Sequence, residues 1–381
     1  MSGILHDSIV VGAMFGDEGK GLVTSYLCEH SQNPIVVRFS GGAQAGHTVV
    51  MDGKRHVFSS FGSGTLQEVP TYWSDYCAFD PAAMRAEYKA LEKMGLSPRL
   101  KMHPLCPVVT PYDIAYNRQS ATMLQNGTVG SGVGTTWQRE ADHYHLYVQD
   151  LYYPSILHAK LKSIQSYYSL PYLPEQEIFI SAVAECLNQI SHEEIVGYSV
   201  LEGYTRIYEG SQGILLDQDF GLFPNVTRSN TTSKNAHAIN NSLTRNAGVQ
   251  TEVFYVTRCY QTRHGNGFMS DERALNLVNT ANETNVSHAY QGEFRMGLLD
   301  LDLLQYSLLC DSSFSSSAFN KNVILTCRDQ IPSEYIPCRY KGAVQELLVE
   351  QLRDIICNEM KINACYLSNG PSLNDLRRLR S

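Results

Sequence analysis

Short runs of apolar residues alternate with amphipathic segments along the chain, and this alternation is typical of α/β proteins. The apolar runs predict buried strands at residues 8–11, 35–39, 252–260, 322–327 and 364–368. Residues 22–29, between the first two runs, have the pattern of a helix. A strand, a glycine-rich loop, a helix and a strand in this order predict parallel strands joined by a right-handed crossover.

Two later segments also have helical character. Asp80 and Pro81 are typical of the first residues of a helix, because the acid caps free backbone N–H groups and proline suits the first turn. We expect this helix to end near Met94, before Gly95. Residues 342–360 predict a late amphipathic helix, and the strand predicted after it would be the last in the chain.

The remaining segments indicate one domain. Polar, serine-rich stretches at 167–212 and 311–317 predict surface loops, and no abrupt change in composition marks a boundary. We therefore expect a single domain over residues 1–381. Its fold would be α/β, with a large, mostly parallel central sheet, flanking helices and interleaved helical and loop insertions.

Composition and charge narrow the class of protein. The chain has 381 residues, 43% hydrophobic and 18% charged, with 30 Lys and Arg against 38 Asp and Glu. A net charge of −8 disfavours non-specific nucleic-acid binding. No apolar run approaches the roughly 20 residues of a membrane helix, and the amino terminus lacks the basic residues of a signal peptide. We expect a cytoplasmic protein without nucleic-acid or membrane partners.

The ten cysteines carry no predicted chemistry. No two of them have the Cys-x-x-Cys spacing of a zinc or redox site. We expect reduced, mostly buried thiols that pack as small apolar side chains.

The strongest local motif is the glycine loop at 16–21, directly after the first predicted strand. Its backbone N–H groups, with Lys20 and the following helix, suit phosphate oxygens. It is not a standard P-loop, because position 14 is Met and position 21 is Gly. Asp17 and Glu18 would repel phosphate unless a cation or a proton transfer uses them. The loop is therefore either a site with a metal ligand or general base, or a tight structural turn.

Three further glycine-rich segments carry polar side chains. The loop 41–48 follows the second predicted strand, where open α/β sheets bind ligands, and it contains His47, a possible general acid or base. A single loop histidine is more often structural. The clusters 127–134 and 209–213, the latter followed by 226–232, offer hydroxyls and amides to a ligand rich in oxygen, such as a nucleotide phosphate.

In this order, these segments resemble the adenylosuccinate synthetase family. The family has Gly-Asp-Glu-Gly-Lys-Gly after its first strand and Gly-Gly-x-x-Ala-Gly-His-Thr after its second. Its later motifs resemble residues 127–134, 209–213, 226–232, 262–267, 325–329 and 368–371. The tail is more similar to the archaeal and phage branch. The resemblance implies the family's P-loop-like nucleotide site.

The resemblance also implies a two-step ligation. GTP would give its γ-phosphoryl group to O6 of a 6-oxopurine nucleoside monophosphate such as IMP, and the amine of L-aspartate would then displace phosphate at C6. Asp17 would remove the N1 proton and ligate Mg²⁺, with Gly46 as a further metal ligand. His47 would stabilise charge during phosphoryl transfer, and Lys20 would act on the donor phosphates.

Binding roles follow from the same resemblance. The implied nucleotide-binding residues are Gly16, Glu18, Gly19, Gly21, Gln44, Ala45, Gly46, Thr48, Thr128, Val129, Gln212, Thr227, Asp329, Gly370 and Pro371. Arg295 would bind aspartate. The implied partners are the purine nucleotide, L-aspartate and GTP, and the implied assembly is a homodimer.

Several positions depart from the family pattern. Gln44 replaces Asn, Val129 replaces Thr, His264 replaces a valine near the ribose, and Arg328 replaces a guanine-reading Lys. Of the family's arginine cluster before Gly-Trp-Leu-Asp, Arg295 remains. The arginine that reaches the partner's monophosphate aligns near His143, with Arg139 as a possible substitute.

These departures leave alternatives open. Phage relatives act on dGMP and make the succinylated precursor of 2-aminoadenine nucleotides. The chain could also be a non-catalytic nucleotide-binding paralogue, or it could use an amine other than aspartate, because Glu293 and Phe294 stand where carboxylate-binding arginines are expected.

Overall fold

A computed structural model describes residues 6–120, 122, 125, 127–243, 249–283, 290, 292–315 and 319–380. The strands, in chain order, are β1 His6–Gly12, β2 Pro34–Arg38, β3 His47–Met51, β4 Lys54–Phe58, β5 Thr71–Trp73, β6 Leu100–Met102, β7 Thr205–Gly213, β8 Gln250–Arg258, β9 Tyr260–His264, β10 Phe294–Asp300, β11 Asn320–Thr326, β12 Ile336–Tyr340, β13 Ala343–Leu347, β14 Ala364–Ser368 and β15 Leu376–Arg378.

A nine-stranded sheet forms the centre of the molecule. Its strand order is β15-β14-β11-β8-β1-β7-β2-β5-β6, and every neighbouring pair is parallel except β14 and β15. The inner strands are continuous apolar runs because helices and loops cover both faces. Ile9, Val10 and Val11 on β1 are fully buried, as are Val36 and Val37 on β2. The predicted α/β class and mostly parallel sheet are confirmed.

Two smaller sheets complete the strand architecture. One has the order β13-β12-β10-β9, and the other is the β3–β4 hairpin. The β3 strand begins at His47, so the hairpin projects this side chain from the loop that follows β2.

The helices flank the main sheet. Those of the described chain are α1 Lys20–Glu29, α2 Pro81–Lys93, α3 Pro111–Gln119, α4 Val133–Ala141, α5 Pro154–Tyr167, α6 Glu175–Gln189, α7 Lys234–Asn241, α8 Leu301–Ser312 and α9 Val349–Asp354. The predicted start of α2 is confirmed, since Asp80 Oδ1 accepts hydrogen bonds from the N–H groups of Ala82 and Ala83 at 2.9 and 3.2 Å. Within the described residues, no helix is long and apolar enough to cross a bilayer.

Four of the sequence predictions are wrong in detail. Residues 342–360 do not form one helix: β13, α9 and a π-helical turn at Ile355–Glu359 share the segment, and β15 follows the strand predicted as last. The stretch 167–212 contains α6 and most of β7 rather than loops only. In 311–317, Asp311 is buried at the end of α8, and 316–318 lie outside the described residues.

The strand next to β1 is not the strand that follows it in the chain. β1 and β2 are parallel strands of the same sheet, but β7 lies between them. Because these strands are parallel, the loops after β1, β2, β7, β8, β11 and β14 meet at one edge of the sheet, the edge where open parallel sheets bind ligands.

All ten cysteines are free thiols, and eight of them are buried. The predicted unpaired, mostly buried cysteines are confirmed.

Candidate active site

A cavity of about 600 Å³ opens at the carboxyl ends of these strands. Sixteen of the residues singled out in the sequence line it: Gly16, Asp17, Glu18, Gly19, Lys20, Gly21, Gln44, Ala45, Gly46, His47, Thr48, Val129, Gln212, Asp329, Gly370 and Pro371. Six separate motifs therefore meet at one place, although up to about 350 residues separate them in the chain.

The glycine loop has a backbone that few side chains allow. Gly16, Asp17 and Gly19 have φ angles of 94°, 57° and 92°, in the left-handed region. A non-glycine residue held there is a strained feature that is common at functional sites. In the part of the chain that the structure describes, no side chain caps the first N–H groups of α1, which begins at Lys20, so this helix end can bind an anion.

Asp17 faces the cavity with 31% of its side chain exposed. His264 Nε2 lies 3.3 Å from Asp17 Oδ2. Desolvation alone would raise the pKa of Asp17, but His264, Arg258 and Lys20 outweigh it and hold the pKa below its usual value. Asp17 is therefore an ionised carboxylate close to the positive charges of Arg258 and Lys20.

Glu18 is turned into the protein. It is 2% exposed, accepts a hydrogen bond from the N–H of Met14 and lies 3.9 Å from Lys20 Nζ. Burial raises the pKa of Glu18 to about 7, against the opposing effect of Lys20. A side chain at position 12 would displace Glu18 or strain the backbone, because a Cβ there would lie 2.0 Å from Glu18 Oε2 and 3.0 Å from the backbone oxygen of Gln212. Glu18 thus packs under the loop that carries Asp17.

His47 is held by a buried carboxylate. Its Nδ1 lies 2.7 Å from Glu209 Oε1, and Glu209 also accepts hydrogen bonds from the backbone and the hydroxyl of Ser63. Although burial opposes ionisation, His47, Arg38 and Ser63 lower the pKa of Glu209 to about 2. Burial lowers the pKa of His47, against the effect of Glu209. The Nδ1–H of His47 can therefore donate to an ionised Glu209.

Two amides line the cavity with unused acceptors. Oε1 of Gln44 and Oε1 of Gln212 are buried and have no hydrogen-bond partner among the described residues. Buried polar atoms are normally satisfied, so both atoms are available to donors on a ligand.

One side of the cavity is formed by the loops that follow β11 and β14. Asp329, Gly370 and Pro371 meet there, and Asn279 Nδ2 donates to the carbonyl of Asp329 at 3.0 Å. Arg328 lies outside the cavity lining, because its guanidinium binds the carbonyls of the following loop, with Nη1 3.0 Å from Ile331 O.

Three predicted site residues lie outside the cavity lining. Thr128 Oγ1 donates to Asn117 Oδ1 on α3 at 2.9 Å, and the N–H of Thr227 donates to Leu216 O at 2.8 Å. Arg295 Nη1 lies 2.6 Å from Glu272 Oε2.

Arg139 is not available to bind a phosphate, which corrects the suggested substitution. Its side chain is fully buried, and Nε donates to Asp113 Oδ1 at 2.9 Å. Nη1 donates to Glu140 Oε1 and Nη2 to Val108 O, both at 2.8 Å. Its charge and donors are used within the fold.

Sequence reasoning missed two important neighbours. Glu209 lies in a recognised motif, but only its contact with His47 gives it a role. Arg263 lines the cavity and was noted only as part of a motif. Neither residue could be recognised from the sequence alone, because each one contacts groups that are distant in the chain.

Comparison with known proteins agrees with this geometry. The family model described as adenylosuccinate synthetase matches residues 9–352. This chain belongs to the adenylosuccinate synthetase family. The enzyme of Francisella tularensis subsp. novicida is 29% identical over 91% of this chain and 87% of its own length, and that of Francisella philomiragia is 30% identical over the same shares.

Two solved structures share the fold. Fully ligated adenylosuccinate synthetase from Plasmodium falciparum has a TM-score of 0.77 at 19% identity, covering 98% of this chain and 100% of that chain. Succinoaminodeoxyadenylate synthetase from cyanophage S-2L, bound to dGMP and dATP, has a TM-score of 0.64 at 18% identity, covering 99% and 96%. Members of the adenylosuccinate synthetase family are ligases.

Proposed function

We propose that this member of the family joins L-aspartate to C6 of IMP, driven by GTP. One observation carries the proposal: Asp17 and His47 face the same cavity from two glycine-rich loops. The overall reaction converts IMP, GTP and aspartate into adenylosuccinate, GDP and phosphate.

Asp17 would start the reaction as a general base. Its low pKa keeps it ionised, so it can accept the proton from N1 of the purine as electron density moves to O6. O6 then attacks the γ-phosphorus of GTP, and the bond to the β-phosphate oxygen breaks. The amine of aspartate next attacks C6, phosphate leaves with the former O6, and the amine loses a proton.

His47 and Lys20 would act on the transferring phosphoryl group. Glu209 orients the imidazole through Nδ1, so Nε2, once protonated, can donate to phosphoryl oxygens. Lys20 and the backbone N–H groups of Gly19, Gly21, Gly46 and Thr48 would hold the phosphates of GTP, with Ala45 and Gly16 completing the loops.

Other cavity residues would bind the two bases and the monophosphate. Asp329 would accept from guanine N1–H and N2–H, with Gly370 and Pro371 beside the ring. Val129, Gln212 and Gln44 would line the acceptor nucleotide, with Thr128 and Thr227 near its phosphate. Arg295 would contribute to aspartate binding. The orphaned amide oxygens of Gln44 and Gln212 support a ligand at this wall.

The donor set at the glycine loop fits Mg²⁺. Among the described residues, no three His, Cys, Asp or Glu side chains form a metal-binding group of their own. Mg²⁺ at nucleotide sites needs only one or two carboxylates, because phosphates and water supply the other ligands. Asp17 and the carbonyl of Gly46 would hold the ion, which would neutralise charge on the phosphates.

We also propose that the protein is a cytoplasmic homodimer that binds small molecules and no nucleic acid. The net charge of −8 supports the last point. The homodimer is proposed from membership of the family. A single domain over 1–381 remains our prediction.

A variant of this activity would use dGMP as the acceptor. The specific observation in its favour is the altered acceptor wall, where Val129 lines the cavity without a hydroxyl and His264 contacts Asp17. About 30% identity to the Francisella enzymes over nine-tenths of the chain favours IMP.

The test is a direct assay of both acceptors. Purified protein is incubated with GTP, Mg²⁺ and L-aspartate, with IMP and dGMP in separate reactions, and the products are analysed by mass spectrometry. We expect succinylated IMP and aspartate-dependent phosphate release, reduced by a factor of about 10² or more in Asp17→Asn, which should still bind GTP. Product from dGMP alone would support the variant.

Absence of product from both acceptors would contradict ligase activity. Binding of GTP without turnover would then support a non-catalytic paralogue, and a panel of other amines would identify a different co-substrate.

A further inference from the structure

Two buried arginines line the cavity, and among the described residues a carboxylate partner is found for Arg258 but not for Arg263. Arg258 is 6% exposed, and its Nη1 lies 2.6 Å from Glu283 Oε2. Arg263 is 2% exposed, yet within the described chain no carboxylate lies within 4.0 Å of its guanidinium.

The partners of Arg263 are neutral. Nη1 donates to Phe268 O at 2.7 Å and Nη2 to Asn225 O at 2.9 Å, while the guanidinium lies 4.5 Å from the centroid of the Phe15 ring. Nε makes no hydrogen bond to a described residue. It is also not one of the buried atoms that lack a partner. These contacts fix the side chain but leave its charge unbalanced.

A second arginine increases this imbalance. Arg295 lies directly opposite Arg263 in the antiparallel β9–β10 pair, and its buried Nε has no hydrogen-bond partner among the described residues. Glu272, 45% exposed, is the carboxylate that contacts Arg295. Burial and then Arg295 lower the pKa of Arg263 to about 10. A buried cation without a counter-charge is unfavourable, so this pair of strands favours an anionic ligand.

The position of Arg263 indicates which anion it would bind. The guanidinium of Arg263 packs against the ring of Phe15, which is two residues before Asp17. The residue after Arg263 on β9, His264, contacts Asp17. The nucleotide phosphates already have Lys20 and the uncapped start of α1. An amino acid whose amine attacks C6 must instead place its carboxylates close to the group that Asp17 activates.

We propose that Arg263 binds a carboxylate of the amino-acid substrate, with Arg295 adding positive charge from the opposite strand. This inference rests on the proposed ligase function. A planar guanidinium fixed by two carbonyls and an aromatic ring is suited to a carboxylate, and aspartate offers two of them.

The test compares Arg263→Gln, Arg263→Lys and a control, Arg85→Gln, whose side chain pairs with Glu185 outside the cavity lining. We expect Arg263→Gln to raise the KM for aspartate at least tenfold while the KM values for GTP and IMP change less than twofold. Arg263→Lys, which keeps the charge, should show a smaller increase. Arg85→Gln should match the unmodified enzyme.

Two results would overturn the proposal. One is an unchanged KM for aspartate in a folded Arg263→Gln protein. The other is an equal rise in all three KM values, which is what a purely structural role would cause. Thermal unfolding shows whether each variant is folded. If Arg263→Gln is not folded, the KM values of Arg263→Lys decide the test.

Failure of the ligase function can be separated from failure of this inference. If the unmodified protein makes no succinylated product, the ligase assignment fails, and binding then decides the role of Arg263. Millimolar aspartate or succinate should still raise the unfolding temperature of the unmodified protein. The increase should be smaller for Arg263→Gln and for Arg263→Lys. Equal shifts in all three proteins would overturn the proposal.

Discussion

Asp17 and Glu18 are adjacent acids with opposite electrostatic environments. Asp17 faces the cavity beside His264, and its pKa is low, whereas Glu18 is buried under the loop and its pKa is raised to about 7. Neighbouring carboxylates whose environments separate their pKa values commonly have separate roles. Asp17 is placed for chemistry, and Glu18 for the shape of the loop.

The pH dependence of stability should reveal Glu18. Because its folded pKa is raised from 4.5 to about 7, the stability it contributes is greatest below pH 4.5 and falls as the pH rises toward 7. Without nucleotide or Mg²⁺, Glu18→Gln should therefore lose less stability than the unmodified protein between about pH 5 and pH 7, by roughly 1–3 kcal/mol. Urea unfolding at several pH values measures the difference. Parallel curves would contradict the environment described for Glu18.

Glu209 should affect catalysis through His47. Glu209→Gln keeps the shape of the side chain but removes the charge that would stabilise a protonated imidazole. We expect kcat to fall by a factor of about 10 to 10³, with little change in the KM for GTP, because the interaction matters most during phosphoryl transfer. Steady-state phosphate release measures both constants. An unchanged kcat would remove Glu209 from the mechanism.

At the scale of elements, the close approach of β1 and β7 determines the shape of the site. A Cβ on Gly12, at the end of β1, would lie 2.0 Å from Glu18 Oε2 and 3.0 Å from the backbone oxygen of Gln212. The glycine loop must therefore pass close to the end of β7. Substitution here moves the loop that carries Asp17.

Gly12→Ala should accordingly weaken nucleotide binding and stability together. We expect a loss of about 1–3 kcal/mol in unfolding free energy, the usual cost of forcing an extra carbon into a packed site, and weaker GTP binding by calorimetry. Gly197→Ala is the control, because a Cβ there meets no atom within 4 Å. If both variants bind GTP as well as the unmodified protein, the contact is not needed for the site.

Local sequence rules predicted elements with strong local signals better than features that depend on long-range pairing. The cap at Asp80 and the glycine loop before α1 have strong local signals, and both are confirmed. Residues 342–360 were predicted wrongly because alternation in the β12–β13 hairpin and the start of α9 can share one amphipathic pattern. The insertion of β7 between β1 and β2 depends on long-range pairing that no short window contains.

At the scale of the whole molecule, the sheet brings distant motifs into one cavity. The loops 16–21 and 41–48 could be placed at the site from the sequence, because glycine-rich turns after parallel strands meet at one edge. Val129, Gln212, Asp329, Gly370 and Pro371 were expected there only from the family resemblance. The unbalanced charge of Arg263 and the carboxylate beneath His47 could not, because both depend on which side chains approach across the fold. The proposed ligase function accounts for the acids among the groups that would bind phosphate.

The most direct test of the account follows the oxygen at position 6 of the purine. IMP labelled with ¹⁸O at O6 is incubated with the enzyme, GTP, Mg²⁺ and L-aspartate, and the released phosphate is analysed by mass spectrometry. If O6 is phosphorylated before aspartate displaces it, each released phosphate carries one ¹⁸O atom. Unlabelled phosphate, formed at the same rate as the succinylated product, would contradict the role of O6 as phosphoryl acceptor.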